Sequence, residues 1–339
     1  MYRWNEILNK SNNIPYIIAE IGLNHNGRED LAIKMIEAAC KAGANAVKFQ
    51  LFKTEFFIDK EASLPSSVEG SLFEFFKKFE LPKESWFNLR EIAEKFNVDF
   101  LCSVFDLESL KFYKEELKIN LVKIASSDLT NYLLLKEIKQ RNMEFILSTG
   151  ASEEQEIQET IKRFGKPFGL LQCVSHYPAK EYEYNLSLLP YWKEKYNCLV
   201  GISDHCASDK VSIASIFFGC QIIEKHFTID KSLPGPDQSF SITPKELKGL
   251  IEDLRIFRNT IGKPIKKVQP NEENVRLFGR RSLYYFRDLK KGHNITYNDL
   301  IALRPGGGIP PEEYETILGK ILKRDIKKGK RIHQYDWEG

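Results

Sequence analysis

The sequence predicts an α/β fold: a (β/α)8 TIM barrel followed by a small C-terminal domain. Three observations predict it. Between residues 16 and 261, eight short β-type apolar runs alternate with helical patterns, the arithmetic of an eight-unit barrel of about 250 residues. Polar residues collect at the C-terminal ends of those runs, which in a barrel line a single mouth. Beyond residue 261 the texture changes to a Pro- and charge-rich stretch, then to short runs and turns. A doubly wound open sheet is the alternative, but no Gly-rich dinucleotide turn follows the first run. These changes divide the chain into a barrel over 1–262, a linker over 263–278 and a small domain over 279–339.

The elements follow in order. Run one is Tyr16-Ile17-Ile18-Ala19-Glu20. Its helix opens near Glu29-Asp30 and stops at Ala42-Gly43, where glycine supplies a left-handed residue. Run two is Ala46-Val47-Lys48-Phe49-Gln50, followed by a longer excursion to Pro82 and a helix to about Asn97. Runs three to six are Phe100-Leu101-Cys102-Ser103, Leu121-Val122-Lys123-Ile124-Ala125, Phe145-Ile146-Leu147-Ser148 and Leu170-Leu171-Gln172-Cys173-Val174. Runs seven and eight span residues 199–203 and 222–227. Ser152 and Thr130 or Asn131 are expected to cap helices. In the last domain two Lys-Lys-Gly stretches, at 290–292 and 327–329, suggest a weak internal repeat.

Composition excludes several classes. The chain has 339 residues and a net charge of +3, with basic and acidic residues interspersed. That is a solvated surface, so no nucleic-acid partner is expected. Six cysteines form no CxxC pair and sit mostly in apolar runs, which favours a reducing cytoplasm over a disulfide framework. Met1-Tyr2-Arg3-Trp4-Asn5-Glu6 lacks the apolar core of a signal peptide, and no run reaches membrane-spanning length. No membrane partner is expected.

The chemistry concentrates in Gly201-Ile202-Ser203-Asp204-His205 and Glu224-Lys225-His226-Phe227. Each is a β-type run that ends in histidine. Successive parallel strands lie side by side, so both imidazoles emerge at neighbouring strand ends. That geometry suits a divalent metal with open coordination positions. Lys48 and Lys123 stand inside β runs and must point into the lumen or break the helix-facing layer.

The chain resembles the sialic acid synthase family, the phosphoenolpyruvate-condensing nonulosonate synthases. The resemblance runs through Ala19-Glu20-Ile21-Gly22-Leu23-Asn24-His25-Asn26-Gly27, Val47-Lys48-Phe49-Gln50 and Lys123-Ile124-Ala125-Ser126-Ser127-Asp128. It continues through Leu147-Ser148-Thr149-Gly150, Gln172-Cys173-Val174-Ser175-His176-Tyr177-Pro178, both histidine motifs and Pro234-Gly235-Pro236-Asp237. Leu303-Arg304-Pro305-Gly306 matches the family's SAF (antifreeze-like) domain.

The resemblance implies a transferase that joins phosphoenolpyruvate, an open-chain N-acylated mannosamine-type sugar and water. The products are a nine-carbon 2-keto acid, N-acetylneuraminate or a close analogue, and phosphate. It implies a divalent metal on His205 and His226, manganese most of all, with Mg2+ or Co2+ as alternatives. Lys48 and Lys123 would neutralise the trianionic substrate, Gln50 would meet its carboxylate, and Ser126, Ser148 and Ser203 would offer hydroxyls. Each serine has helix capping as its other reading. Tyr177 and Asp237 fall to sugar recognition and Glu20 to the reacting centre, with a salt bridge to Lys48 or Lys123 as the alternative for Glu20. Arg304 would cross from a partner subunit in a domain-swapped homodimer. Two positions depart from the family's pattern: Asp128 where glutamate often activates water, and Ser175 where asparagine often stands beside the phosphate. His25 and His176 read as supporting or turn residues. Legionaminate, pseudaminate and spore-coat variants of the reaction remain open, because acceptor choice depends on loops such as 52–71. A Schiff-base aldolase using Lys123 or Lys48, and a non-enzymatic sugar-phosphate-binding protein, are the competing readings.

Overall fold

The computed structural model describes residues 14–62 and 71–337. Met1 to Glu6, residues 63–70 of the loop expected to govern acceptor choice, and the last two residues lie outside the described residues. The chain forms two units that part between Gly262 and Lys263.

The first unit is a closed eight-stranded parallel barrel. Its strands are β1 (Tyr16–Gly22), β2 (Ala46–Leu51), β3 (Asp99–Val104), β4 (Leu121–Ile124), β5 (Glu144–Ser148), β6 (Gly169–Cys173), β7 (Leu199–Asp204) and β8 (Ile222–His226). Helix α1 (Glu29–Ala42) buries Leu31, Ala32, Met35, Ile36 and Ala39, the spacing that puts one apolar stripe on the sheet. It ends at Gly43, whose φ of 100° is the left-handed conformation that glycine adopts without strain. Short helices α2 (Thr54–Phe57) and α3 (Leu72–Lys77) occupy the excursion after β2, and α4 (Lys83–Lys95) closes it. Helices α5 (Leu107–Glu115), α6 (Tyr132–Gln140), α7 (Glu154–Phe164), α8 (Leu188–Tyr196) and α9 (Lys210–Ser215) follow in the later units. The barrel closes with α10 (Pro244–Ile261), which starts at a reciprocal capping box between Thr243 and Glu246.

Strand parity sorts the side chains. One set packs against the helices: Ile17, Ala19, Val47, Phe49, Phe100, Val122, Leu147, Leu170, Val200, Ile202 and Ile223. The other set fills the lumen with Tyr16, Ile18, Ala46, Leu101, Leu121, Ile146, Leu171 and Ile222. Two residues further along, on the same face, stand Glu20, Lys48, Ser103, Lys123, Ser148, Cys173 and Glu224. An apolar plug thus supports a polar floor. Gly201 lies in the plug layer, where an added Cβ would come within 2.1 Å of the Ile222 carbonyl oxygen.

The second unit, Lys263–Gly339, pairs β9 (Ser282–Tyr285) antiparallel with β10 (Leu300–Leu303). Its core is Leu283, Tyr285, Leu289, Ile295, Ile317, Leu322, Ile326, Ile332 and Trp337. The stretch expected as a linker carries helix α11 (Glu273–Gly279), and the Leu277 carbonyl accepts from Gly306 N at 2.8 Å. No helix among the described residues is long and apolar enough to cross a membrane.

Candidate active site

The polar floor opens into a cavity of about 340 Å3 at the C-terminal ends of the strands. Glu20, Lys48, Gln50, Lys123, Ser126, Ser148, Ser175, Tyr177, Ser203, His205 and His226 all line it. Phe57, Phe76 and Phe105 form an apolar wall on its β2–β3 side.

Two ammonium groups and two carboxylates face one another on the floor. Lys48 Nζ lies 2.7 Å from Glu20 and 3.7 Å from Glu224, and it donates to Ser103 Oγ at 2.9 Å. Lys123 Nζ donates to Ser148 Oγ at 2.5 Å and to the Ile124 carbonyl at 2.9 Å, with Glu224 at 4.0 Å. Ser203 Oγ donates to Glu224 Oε1 at 2.9 Å, while Glu224 Oε2 is buried without a hydrogen bond. Burial raises the Glu20 carboxyl, against the pull of Lys48. Burial acts on Glu224 too, but Lys123 and Lys48 outweigh it and hold that carboxyl below the usual range. Burial lowers Lys123, with Glu224 opposing, whereas for Lys48 the carboxylates of Glu20 and Glu224 outweigh burial and raise it.

Three hydroxyls, of Ser126, Ser148 and Ser175, line the cavity, Ser148 against Lys123. Gly150 N donates to Ser126 Oγ at 3.0 Å, and a Cβ at Gly150 would come within 2.3 Å of Ser175 Oγ. Only glycine leaves room there. None of Ser126, Ser148 and Ser203 caps a helix: Lys123 engages Ser148, Gly150 engages Ser126 and Glu224 engages Ser203.

The two imidazoles stand 5.5 Å apart between ring centroids. His205 Nδ1 lies 2.7 Å from the Val174 carbonyl, a bond that puts its proton on Nδ1, and its Nε2 faces Ser203 Oγ at 3.4 Å with a lone pair to offer. His226 Nδ1 is buried without a hydrogen bond and lies 3.8 Å from Asp237 Oδ2. Burial raises Asp237 to about 6, with His205 opposing. The Tyr177 ring lies 4.2 Å from that of His205. Among the described residues no cluster of three or more His, Cys, Asp or Glu side chains is arranged to hold a metal ion. The pair of histidines fits a divalent cation as a two-ligand set, with the remaining positions left to water and substrate.

Other sequence-predicted residues fall elsewhere. Asp128 lies in the turn after β4, off the cavity wall; it accepts from Asn131 Nδ2 at 2.9 Å, and burial raises its carboxyl. Arg304 is exposed in the C-terminal unit. Asn131 caps α6, but Ser152 does not cap α7, which opens at Glu153 with a capping box to Glu156. The Glu153 backbone N–H donates to Glu156 Oε2 at 2.8 Å, while Ser152 Oγ turns back to the Gly150 carbonyl at 3.3 Å. His25 is fully buried, its Nδ1 accepts from Gly27 N, and burial lowers it to about 4. Sequence reasoning missed Glu224, Cys173 and the phenylalanine wall. Glu224 was detectable: it precedes His226 by two residues and so shares its face.

Residues 35–266 match the NeuB family, and residues 280–334 match the SAF domain. The chain belongs to the NeuB family. This NeuB-family chain is 37% identical over 328 residues to the N,N'-diacetyllegionaminic acid synthase of Legionella pneumophila, covering 93% of this chain and 92% of the relative. It is 32% identical over 336 residues to the pseudaminic acid synthase of Campylobacter jejuni, covering 95% and 96%. Among solved structures, the N-acetylneuraminic acid synthetase of Leptospira borgpetersenii in complex with citrate superposes with a TM-score of 0.69 at 36% identity, over 78% of this chain and 90% of that one.

Proposed function

We propose that this protein is a nonulosonate synthase that condenses phosphoenolpyruvate with an open-chain N-acylated mannosamine-type sugar. The observation that carries the reading is the meeting of two lysines, a group of hydroxyls and two histidines around one cavity. Lys48 and Lys123 bind the phosphate and carboxylate of phosphoenolpyruvate as point charges; Gly150 leaves room for Ser126 and Ser175 to donate to the phosphate, and Ser148, which accepts from Lys123, keeps its own proton to donate. Gln50 and Ser203 complete the anion's contacts. His205 and His226 would hold a divalent cation, manganese first among candidates, which supplies Lewis-acid polarisation of the sugar aldehyde.

The C3 carbon of phosphoenolpyruvate attacks the aldehyde carbon, forming the new C–C bond, and the aldehyde oxygen takes up a proton as the hydroxyl. Positive charge at C2 is met by water, which gives up one proton to balance the one taken by the aldehyde oxygen; the C2 hydroxyl then collapses to the ketone, its proton leaving with phosphate as the C2–O bond breaks. Glu20 takes the proton from the adding water; what supports this is its position on the cavity wall, where Asp128 is absent. Tyr177 and Asp237, beside the two imidazoles, orient the sugar. The partner's Arg304 completes the acceptor site in a swapped homodimer. The legionaminic acid synthase relatives favour a 2,4-diacetamido acceptor.

The test is phosphate release from phosphoenolpyruvate with manganese, screened against N-acetylmannosamine and the 2,4-diacetamido-trideoxy mannose and altrose sugars, with the product mass read. A nine-carbon 2-keto acid from one of them is the expected result. No phosphate release with any of the three would overturn the reading.

A further inference from the structure

The residues that precede the two histidines, Asp204 and Lys225, are paired with each other across β7 and β8. Lys225 Nζ lies 2.9 Å from Asp204 Oδ2, and the two residues are register partners in the sheet. Strand parity turns both side chains away from the lumen and into the helix-facing layer, where their strand neighbours are Ile202 and Ile223. Both are nearly fully buried.

Every bond of the pair leads back to the segment that carries His205. Besides Asp204, Lys225 Nζ donates to the carbonyls of Cys206 at 2.7 Å and Ser208 at 3.0 Å. Asp204 Oδ1 accepts from Cys206 N at 2.9 Å, and Oδ2 accepts from Ser212 Oγ at 2.6 Å at the start of α9. The single ammonium of β8 thus holds the backbone on both sides of residue 207 and the carboxylate beside His205. His205 is held further by Tyr184, whose hydroxyl accepts from His205 N at 2.8 Å and donates to the Ser203 carbonyl at 2.9 Å, and by the Val174 carbonyl at its Nδ1.

Stability alone does not account for such a pair. Taking two charges out of water costs several kcal/mol per ion, and apolar replacements of similar volume are often neutral or stabilising. What an apolar pair cannot do is fix the β7–α9 turn against β8 through directional bonds. We propose that Asp204 and Lys225 are positioning residues, a charged rivet that sets the separation and aim of His205 and His226 and so the affinity of the site for a divalent cation. The inference rests on the reading of the two histidines as cation ligands.

The experiment compares the full-length wild type with Lys225→Met and with the double variant Asp204→Leu/Lys225→Met. Manganese binding is followed by electron paramagnetic resonance of the free ion, inorganic phosphate binding by calorimetry, and melting temperature without metal. The double variant, with no unpaired buried charge, is expected to keep its melting temperature and its phosphate affinity. Its manganese affinity is expected to fall roughly 10- to 100-fold, the usual effect of removing groups that orient metal ligands. Unchanged manganese affinity in a folded double variant would overturn the rivet. Equal losses of phosphate and manganese affinity would overturn it too, since they would show a general disturbance of the mouth. A wild type that binds no manganese would instead overturn the cation reading of the histidines. If Lys225→Met alone fails to fold through its stranded Asp204, the double variant still decides.

Discussion

Glu224→Gln isolates one charge on the barrel floor without changing its shape. Gln keeps an acceptor for Ser203 Oγ, so the perturbation is the loss of a carboxylate 3.7 Å from Lys48 and 4.0 Å from Lys123. Each contact has a gross Coulomb energy of about 4 kcal/mol at an effective dielectric constant of 20. Relief of the carboxylate's burial, several kcal/mol for an ion in a protein interior, offsets most of that sum. Lys48 also keeps Glu20, and Lys123 keeps Ser148 and the Ile124 carbonyl. The net expected loss is about 2 kcal/mol, or about 4–8 °C in melting temperature for a domain of this size. The sign with pH follows from the lowered Glu224 carboxyl: its contribution is present above the unfolded value of about 4.3 and is lost as pH falls below it. The gap between wild type and variant should therefore narrow on acidification. The ligand response goes the other way. With one carboxylate left to two ammonium groups, inorganic phosphate and phosphoenolpyruvate should bind about tenfold tighter, about 1.4 kcal/mol. Calorimetry at pH 7 and thermal melts from pH 7 down to about pH 3, below the unfolded carboxylate value, measure both. An unchanged melting temperature together with weaker phosphate binding would refute the charge argument.

Three further outcomes are expected. His226→Ala should abolish turnover and manganese binding while phosphoenolpyruvate still binds by calorimetry; full activity would end the cation assignment. Gly150→Ala should raise the KM for phosphoenolpyruvate about tenfold or more, because its Cβ would collide with Ser175 Oγ and Ser126 Oγ; an unchanged KM would remove those serines from the phosphate site. In the C-terminal unit, Asp299 accepts from Thr296 N and Oγ1 at 2.8 Å and faces Arg287 at 2.6 Å. Burial pushes this carboxyl up, but those bonds and His293 hold it far below the usual range. Asp299→Asn should therefore cost that unit about 3 kcal/mol at neutral pH, an effect present above the unfolded carboxylate value near pH 3.9 and lost as pH falls further; hydrogen exchange at Ile295 reads it.

The barrel was legible because its signal is local. Eight apolar runs at helix-length spacing need no tertiary information, and Gly43 marks its helix end in the sequence itself. The small domain was harder to read. Its core is stitched by pairs far apart in sequence: Leu289 bridges Ile326, Lys290 meets Asp325, and Lys327 meets Asp288. The two Lys-Lys-Gly stretches hinted at this, and the pairing is reciprocal. Lys291 N and Lys328 N donate to the same two carboxylates, Asp325 and Asp288. A repeat seen as composition is thus two turns, each clasped by an aspartate of the other. Ser152 and Glu153 show the opposite limit: both residue types can open a helix, and which one does so depends on a backbone angle that no pattern of residues states.

At the site, strand parity divides what was legible from what was not. Lys48 and Lys123 were recognised because a lysine in an apolar run demands an explanation, and the lumen supplies it. Lys225 demanded the same explanation, yet it sits between Glu224 and His226, which both face the lumen. Alternation therefore sends it outward, into a layer where a lysine is tolerable only with a carboxylate and free carbonyls at hand. The carboxylate is Asp204, at the matching position beside the other histidine. Two motifs that each read as a polar residue followed by histidine are, in three dimensions, one arrangement with two faces. The inner face offers Nε2 of His205 and the imidazole of His226 to the cavity, and the outer face ties the strands that carry them. Sequence alone displays the inner face, because histidine and glutamate suggest chemistry on sight. The outer face emerges only when the register aligns residue 204 with residue 225, since a slip of one position would put the ion pair in the lumen and the imidazoles among the helices.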